Sequence, residues 1–251
     1  MTSIRFRTLA LALVAAPLSL ALAACDKGGD AAAPGGEKIA AIAPPAGKTW
    51  ADTVTKTPEG GYLMGNPDAP IKLLEYGSLT CPHCADFAET SMAELRDKFV
   101  ASGRVSFEFR NFVRDAIDVT AAQLTRCGAP ESYFALTDQA FANQAAMFQK
   151  AQGAGEAAYT AAMALPDAQR GQALADLTGL SEFFASRGIS RDQAATCLAN
   201  TAEAQALAKR TQEQGDELNI TGTPTFFING EKLDLNAWPE IKARLETMGA
   251  R

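Results

Sequence analysis

Ile71-Lys72-Leu73-Leu74-Glu75-Tyr76-Gly77-Ser78-Leu79-Thr80-Cys81-Pro82-His83-Cys84 is the stretch that decides the fold. Ile71 to Tyr76 is strand-like and ends at Gly77-Ser78. Beyond Cys81, the apolar residues Cys84, Phe87, Ala88, Met92, Leu95 and Phe99 recur at i, i+3, i+4 spacing, which predicts a helix with one apolar stripe. That helix is expected to stop at Gly103. With Cys81 as N-cap, Pro82 takes the first helical position, where its fixed φ suits the turn and its missing N–H costs nothing. The amides of His83 and Cys84 then face the Cys81 sulfur.

This geometry has a chemical consequence. The helix dipole, the two amides and a His83 cation would all favour thiolate over thiol at Cys81. Cys84 lies on the buried stripe, so it is expected to keep its proton and act as the resolving sulfur. A Cys81 pKa near ~4 rather than ~8.5 would stabilise the reduced pair by about 4 kcal/mol at pH 7. Each ~1.4 kcal/mol makes the disulfide about 30 mV more oxidising. The bland alternatives are a structural disulfide or half of a zinc site.

His83 is the only histidine among 251 residues. That excludes a Ser-His-Asp triad, a separate Cys-His pair and any multi-His metal site, and no metal or cofactor is expected. Cys127 and Cys197 lie in predicted helices 70 positions apart. Three readings compete for them: a structural disulfide, two buried free thiols, or a four-cysteine zinc site with Cys81 and Cys84.

Toward the N-terminus, Arg5 and Arg7 precede an apolar run from Leu9 to Leu22, too short to span a bilayer. Residues 1–24 therefore read as a signal peptide. Residues 25–49, rich in Ala, Gly and Pro, read as a flexible tether. Of five cysteines, four remain if Cys25 is assigned to lipid, an even number that suits an oxidising compartment. The competing reading is ordinary cleavage after Ala21-Leu22-Ala23. Losing Arg5 and Arg7 takes the formal charge from −6 to −8. No basic stripe is present, which argues against a nucleic-acid partner.

In the folded part, Val54 to Met64 reads as an edge strand turning at Gly65-Asn66-Pro67, and Val105 to Phe109 alternates as a second strand. Strand, helix and parallel strand make a right-handed βαβ unit. From Asp115 to about Glu217 the pattern stays helical, with four or five helices expected and a capping box at Ser190-Arg191-Asp192-Gln193. Thr225 to Ile228 resumes the sheet, and Asn229-Gly230 predicts a hairpin turn before Lys232 to Leu235. A last amphipathic helix is expected from Asn236, carrying Trp238, Ile241 and Leu245.

With Cys81-Pro82-His83-Cys84 after a strand, a helical insertion, and Gly222-Thr223-Pro224-Thr225-Phe226-Phe227 before a hairpin, the chain resembles the DsbA-like branch of the thioredoxin superfamily over roughly residues 50 to 250. The resemblance implies an α/β thioredoxin fold, a mixed β-sheet with a cis-Pro loop and an inserted all-helical subdomain. The thioredoxin-like part would comprise residues 50–112 and 219–251, and the insertion residues 113–218. It also implies that Pro224 is cis, that it faces the cysteine pair, and that the Thr223 backbone pairs with an extended substrate peptide. For Pro224 alone, an ordinary trans turn is the alternative.

Glu75 resembles the family's buried acid, which moves a proton to or from the resolving cysteine; a solvated carboxylate near a strand end is the alternative. A Cys127–Cys197 disulfide resembles the arrangement in some alphaproteobacterial relatives. Leu22-Ala23-Ala24-Cys25 resembles a bacterial lipobox, which would make Cys25 the lipidated N-terminus and the anchor the chain's one link to a membrane. The implied activity is oxidation of cysteine pairs in exported polypeptides, in the periplasm, by a monomer that a membrane quinone-linked partner re-oxidises. Pro-His between the cysteines resembles the oxidising members. Thr223 departs from them, since the best-known oxidases carry valine there and several isomerases threonine. An isomerase, a reductase and a redox-silent peptide-binding module are the remaining alternatives.

Overall fold

The computed structural model describes residues 36–251. The signal segment 1–24, Cys25 and the first part of the expected tether lie outside the described residues.

A hairpin of β1 (Val54–Lys56) and β2 (Tyr62–Gly65) opens the sheet, where the sequence suggested one continuous strand. The break falls at Thr57-Pro58-Glu59-Gly60-Gly61, and the Thr57 hydroxyl closes it by accepting from the Gly61 amide at 3.0 Å. The central strand β3 (Ile71–Gly77) runs into α1 (Pro82–Glu94), which continues as a wider π turn over Leu95–Val100. A uniform α-helix was expected there. The extra residue in the turn lets the adjacent Phe99 and Val100 both be buried. β4 (Val105–Asn111) returns parallel to β3, and β2 joins it antiparallel.

Seven helices separate β4 from the rest of the sheet: α2 (Ala116–Thr125), α3 (Tyr133–Ala142), α4 (Gln144–Met163), α5 (Asp167–Thr178), α6 (Leu180–Ala185), α7 (Arg191–Leu198) and α8 (Thr201–Leu218). More breaks exist than the sequence pattern implied. Asn143 ends one helix and starts the next with no glycine or proline to mark the junction. Gly179, at φ 74°, turns the chain between α5 and α6. The Ser190 hydroxyl accepts from the Gln193 amide, capping α7 as expected.

β5 (Thr225–Ile228) and β6 (Glu231–Lys232) form the expected hairpin, with Asn229 and Gly230 both at positive φ. α9 (Trp238–Thr247) follows. The sheet order is β1-β2-β4-β3-β5-β6, which puts β3 between the parallel β4 and the antiparallel β5. This is the mixed sheet of a thioredoxin fold with a helical insertion.

The main core packs Leu73, Phe107, Phe109 and Phe226 of the sheet against α1, α3 and α9. Phe87 of α1 lies 4.5 Å from the Phe226 ring and 6.2 Å from Trp238, so the helix that carries the cysteines is wedged between β5 and α9.

Residues 36–49 depart from the expected tether. Ile39 and Ile42 donate backbone bonds to Gly249 and Ser102 at 3.0 and 2.9 Å, and buried Trp50 donates to the Ile42 carbonyl at 2.7 Å. The segment is a strap laid over the ends of α1 and α9. Any Cβ on Gly103 would run into the Ile42 carbonyl, so a glycine is needed under it. Backbone bonding of this kind has no side-chain pattern that a sequence reveals.

Candidate active site

β3 delivers the chain to the start of α1 through the Ser78–Thr80 turn, where the Cys81 amide bonds the Ser78 carbonyl at 3.1 Å. Cys81 is the N-cap, with extended backbone (φ −93°, ψ 119°), and Pro82 occupies the first turn. The Thr223–Pro224 peptide is cis. It brings the Thr223 carbonyl within 3.1 Å of Cys81 Sγ, where it accepts from the sulfur whenever that sulfur carries its proton.

The two sulfurs are driven apart in acidity. The Cys84 thiol, the Thr223 side chain and the amides of Cys84 and His83 outweigh burial and hold Cys81 at about 4, against an ordinary 9.0. Cys84 has no exposed surface, and burial pushes its thiol far above the usual range. The Ser78 amide donates to Cys84 Sγ at 3.5 Å and is the contact that favours the anion there.

His83 acts on Cys81 through its backbone. Its imidazole points outward, with Nδ1 3.9 Å from the Asp86 carboxylate, so the tuning expected of an imidazolium falls to the amide.

Glu75 is buried on β3, only 2% exposed, which removes the solvated-carboxylate alternative. Its Oε1 has no hydrogen-bond partner among the described residues. Burial, then the charges of Asp138 and Cys81, raise its pKa well above the carboxylate range. Gly77 is required beside it, because a Cβ there would meet the Phe109 ring at 2.5 Å and Glu75 Oε1 at 2.8 Å.

Three further side chains hold the turn before Cys81, and the sequence reading missed them. Asp118 is fully buried on α2 and accepts from the Ser78 hydroxyl at 2.5 Å and from the Leu79 amide at 2.9 Å. The Thr80 hydroxyl donates to Asp115 at 2.9 Å. From the first residue of α4, Gln144 Nε2 donates to the carbonyls of Leu79 and Cys81 at 2.9 and 3.0 Å. The spacing Asp115-x-x-Asp118 did carry a helix-start signal, and Asp115 caps α2 by accepting from the Asp118 amide at 2.8 Å. Nothing in the spacing says that Asp118 turns inward to a loop 40 residues away.

A cavity of about 620 Å³ opens beside Cys81, lined by Pro82, His83, Phe112, Arg114, Thr221 and Thr223. Cys127 and Cys197 are joined by a disulfide with Cα atoms 5.8 Å apart, which ties the chain after α2 to α7. They take no part in the cysteine-pair site, so the four sulfurs do not form one metal set.

The family model described as Thioredoxin matches residues 57–247. The crystal structure of a protein-disulfide isomerase from Novosphingobium aromaticivorans is 37% identical, with a TM-score of 0.69 over 74% of this chain and 97% of its own. The crystal structure of Wolbachia pipientis alpha-DsbA1, 23% identical over 74% of this chain and 89% of its own at a TM-score of 0.60, shares the fold. A Rickettsia bellii protein named provisionally as a protein-disulfide oxidoreductase is 25% identical over 76% of this chain. The chain spans about 55–65% of the length of the rickettsial relatives it matches. A single profile takes in both halves of the sheet and the helices between them, and a solved structure matches at more than a third identity; the chain belongs to the thioredoxin family, in the helix-inserted form seen in DsbA-like structures.

Proposed function

We propose that the chain is a thiol–disulfide oxidoreductase that introduces disulfides into exported polypeptides. A substrate thiolate attacks Cys81, the Cys81–Cys84 bond opens, and a second substrate thiol resolves the mixed disulfide. The substrate loses two electrons and the cysteine pair gains them. An extended substrate segment pairs with the Thr223 backbone, with the 620 Å³ cavity receiving the residues around its cysteine.

The observation that carries this reading is the split between the two sulfurs. Cys81, held at about 4, stabilises the dithiol, so the disulfide is the oxidant of the couple. The Cys127–Cys197 bond supports an oxidising compartment. In this reading the leader directs export to the periplasm, Cys25 carries a lipid anchor, and a membrane quinone-linked partner restores the disulfide.

Equilibrium with glutathione tests it. An oxidant remains mostly dithiol across a wide range of glutathione ratios, whereas a reductase would remain mostly disulfide. No exchange at all would remove the enzymatic reading.

Disulfide isomerisation is the second reading, favoured by Thr223 and by the name of the 37%-identical structure. Refolding of a scrambled disulfide substrate by the reduced chain separates the two. A redox-silent peptide-holding role has less support, because Ile42 is the one large exposed apolar side chain among the described residues.

A further inference from the structure

The inference drawn here rests on the exchange chemistry just proposed and concerns Asp118, a buried carboxylate outside the cysteine pair. Its oxygens accept from the Ser78 hydroxyl at 2.5 Å, the Leu79 amide at 2.9 Å and the Arg114 amide at 3.0 Å. Among the described residues no cation contacts it, and burial, opposed by these neutral donors, pushes its pKa up to about 7. The arrangement has a local effect on Ser78, whose two ends it separates. The hydroxyl is tied back to α2, while the amide is aimed at Cys84 Sγ at 3.5 Å. The same hydroxyl accepts from the Thr80 amide at 3.2 Å, so the turn cannot swing without losing both bonds. Gln144 holds the opposite side of the turn through the Leu79 and Cys81 carbonyls.

We propose that Asp118 is a positioning residue for the departure of Cys84: by fixing Ser78 it presents an N–H to the thiolate that forms when the cysteine pair is opened. In that step the substrate sulfur bonds to Cys81, the Cys81–Cys84 bond breaks, and its electron pair stays on Cys84. The departing sulfur is buried, so water gives it little help. The Ser78 amide supplies that help only while the turn keeps its orientation.

The test compares two rates in the full chain and in Asp118→Asn and Ser78→Ala. One is the opening of the oxidised pair by reduced glutathione, which requires Cys84 to leave. The other is alkylation of Cys81 by iodoacetamide in the dithiol, which does not. Weakening one hydrogen bond to an ionised leaving group corresponds to about a tenfold slower opening in Asp118→Asn. Ser78→Ala should move the same way, and alkylation should stay within about twofold of the parent, the expected scatter for a site whose own contacts are untouched. Opening rates equal to the parent in both variants overturn the proposal, as does a parallel fall in both rates, which would mark general loosening of the turn. Should Asp118→Asn fail to fold, the small truncation Ser78→Ala decides alone. A parent chain that glutathione cannot open would instead remove the exchange reading itself.

Discussion

Glu75 places a carboxyl group in the middle strand of the sheet, with one oxygen lacking a donor among the described residues. Burial, then the charges of Asp138 and Cys81, raise its pKa well above the carboxylate range, and its charge interactions with Cys81 and Cys84 show that it lies near both sulfurs. It can therefore give a proton to the resolving sulfur or take one from it. Glu75→Gln keeps the shape and removes the titration. The expected outcome is a cooperatively folded chain in which the step that depends on Cys84 slows about tenfold or more, within the usual reach of proton-transfer catalysis. Stopped-flow exchange between pH 5 and 8 checks this, and unchanged rates would remove the role. The residue itself was legible: it shares strand parity with Ile71 and Leu73 and stands six positions before Cys81. Its burial was left open, because strand parity pointed inward while Gly77-Ser78 signals a strand end, and strand ends are commonly wet. His83 shows the converse limit. Sequence spacing put it between the cysteines, but only a structure separates an imidazole in solvent from an amide against a sulfur.

At the scale of elements, the parts that repeat a period were legible and the parts that close on distant backbone were not. The β3–α1–β4 unit and the Asn229-Gly230 hairpin follow from alternation, an apolar stripe and a turn signal. The strap over residues 36–49 and the side chains of Asp118 and Gln144 are held by bonds to backbone far along the chain, which leave no periodic mark. The Cys127–Cys197 bond belongs to the same class, since sequence left three fates open for those sulfurs. It pins α7 to the end of α2 and closes 70 residues of helix and turn. In the chain-entropy model a loop of that length contributes on the order of 4 kcal/mol, with measured values commonly nearer 2–4. The double variant Cys127→Ser/Cys197→Ser is expected to unfold about 5–10 °C lower by thermal melting, at roughly 2–4 °C per kcal/mol for a domain of this size. Alkylation of Cys81 should be unaltered, because the insertion reaches the catalytic turn through Asp115, Asp118 and Gln144 and not through this bond. A large loss of Cys81 reactivity would show that the insertion transmits strain to the site.

For the whole molecule, the acidity of one sulfur becomes a difference in stability between two redox forms. In the disulfide form neither thiol titrates. In the dithiol form Cys81 is held at about 4 when folded and returns to an ordinary 9.0 when unfolded. A folded pKa depressed in this way adds nothing below about pH 4, where both states bind the proton. As pH rises from 4 toward 9, the unfolded chain still binds the proton while the folded chain does not, so the dithiol form gains stability throughout that window. Above 9 the sign reverses through Cys84, whose thiol ionises in the unfolded chain and stays protonated in the fold. Glu75 works in the opposite sense to Cys81: its raised pKa gives stability that is full below its unfolded value and lost as pH passes the folded one. It does so in both redox forms, so it largely cancels from the comparison. The melting temperature of the dithiol form relative to the disulfide form is therefore expected to rise by more than about 5 °C from pH 4 to pH 8, allowing roughly 2–4 °C per kcal/mol, on top of a pH-independent offset from the Cys81–Cys84 cross-link. Parallel melts of the two forms across that range measure it. A gap that stays flat would mean that the folded chain leaves Cys81 with ordinary acidity, and the case for an oxidant would lose its physical basis.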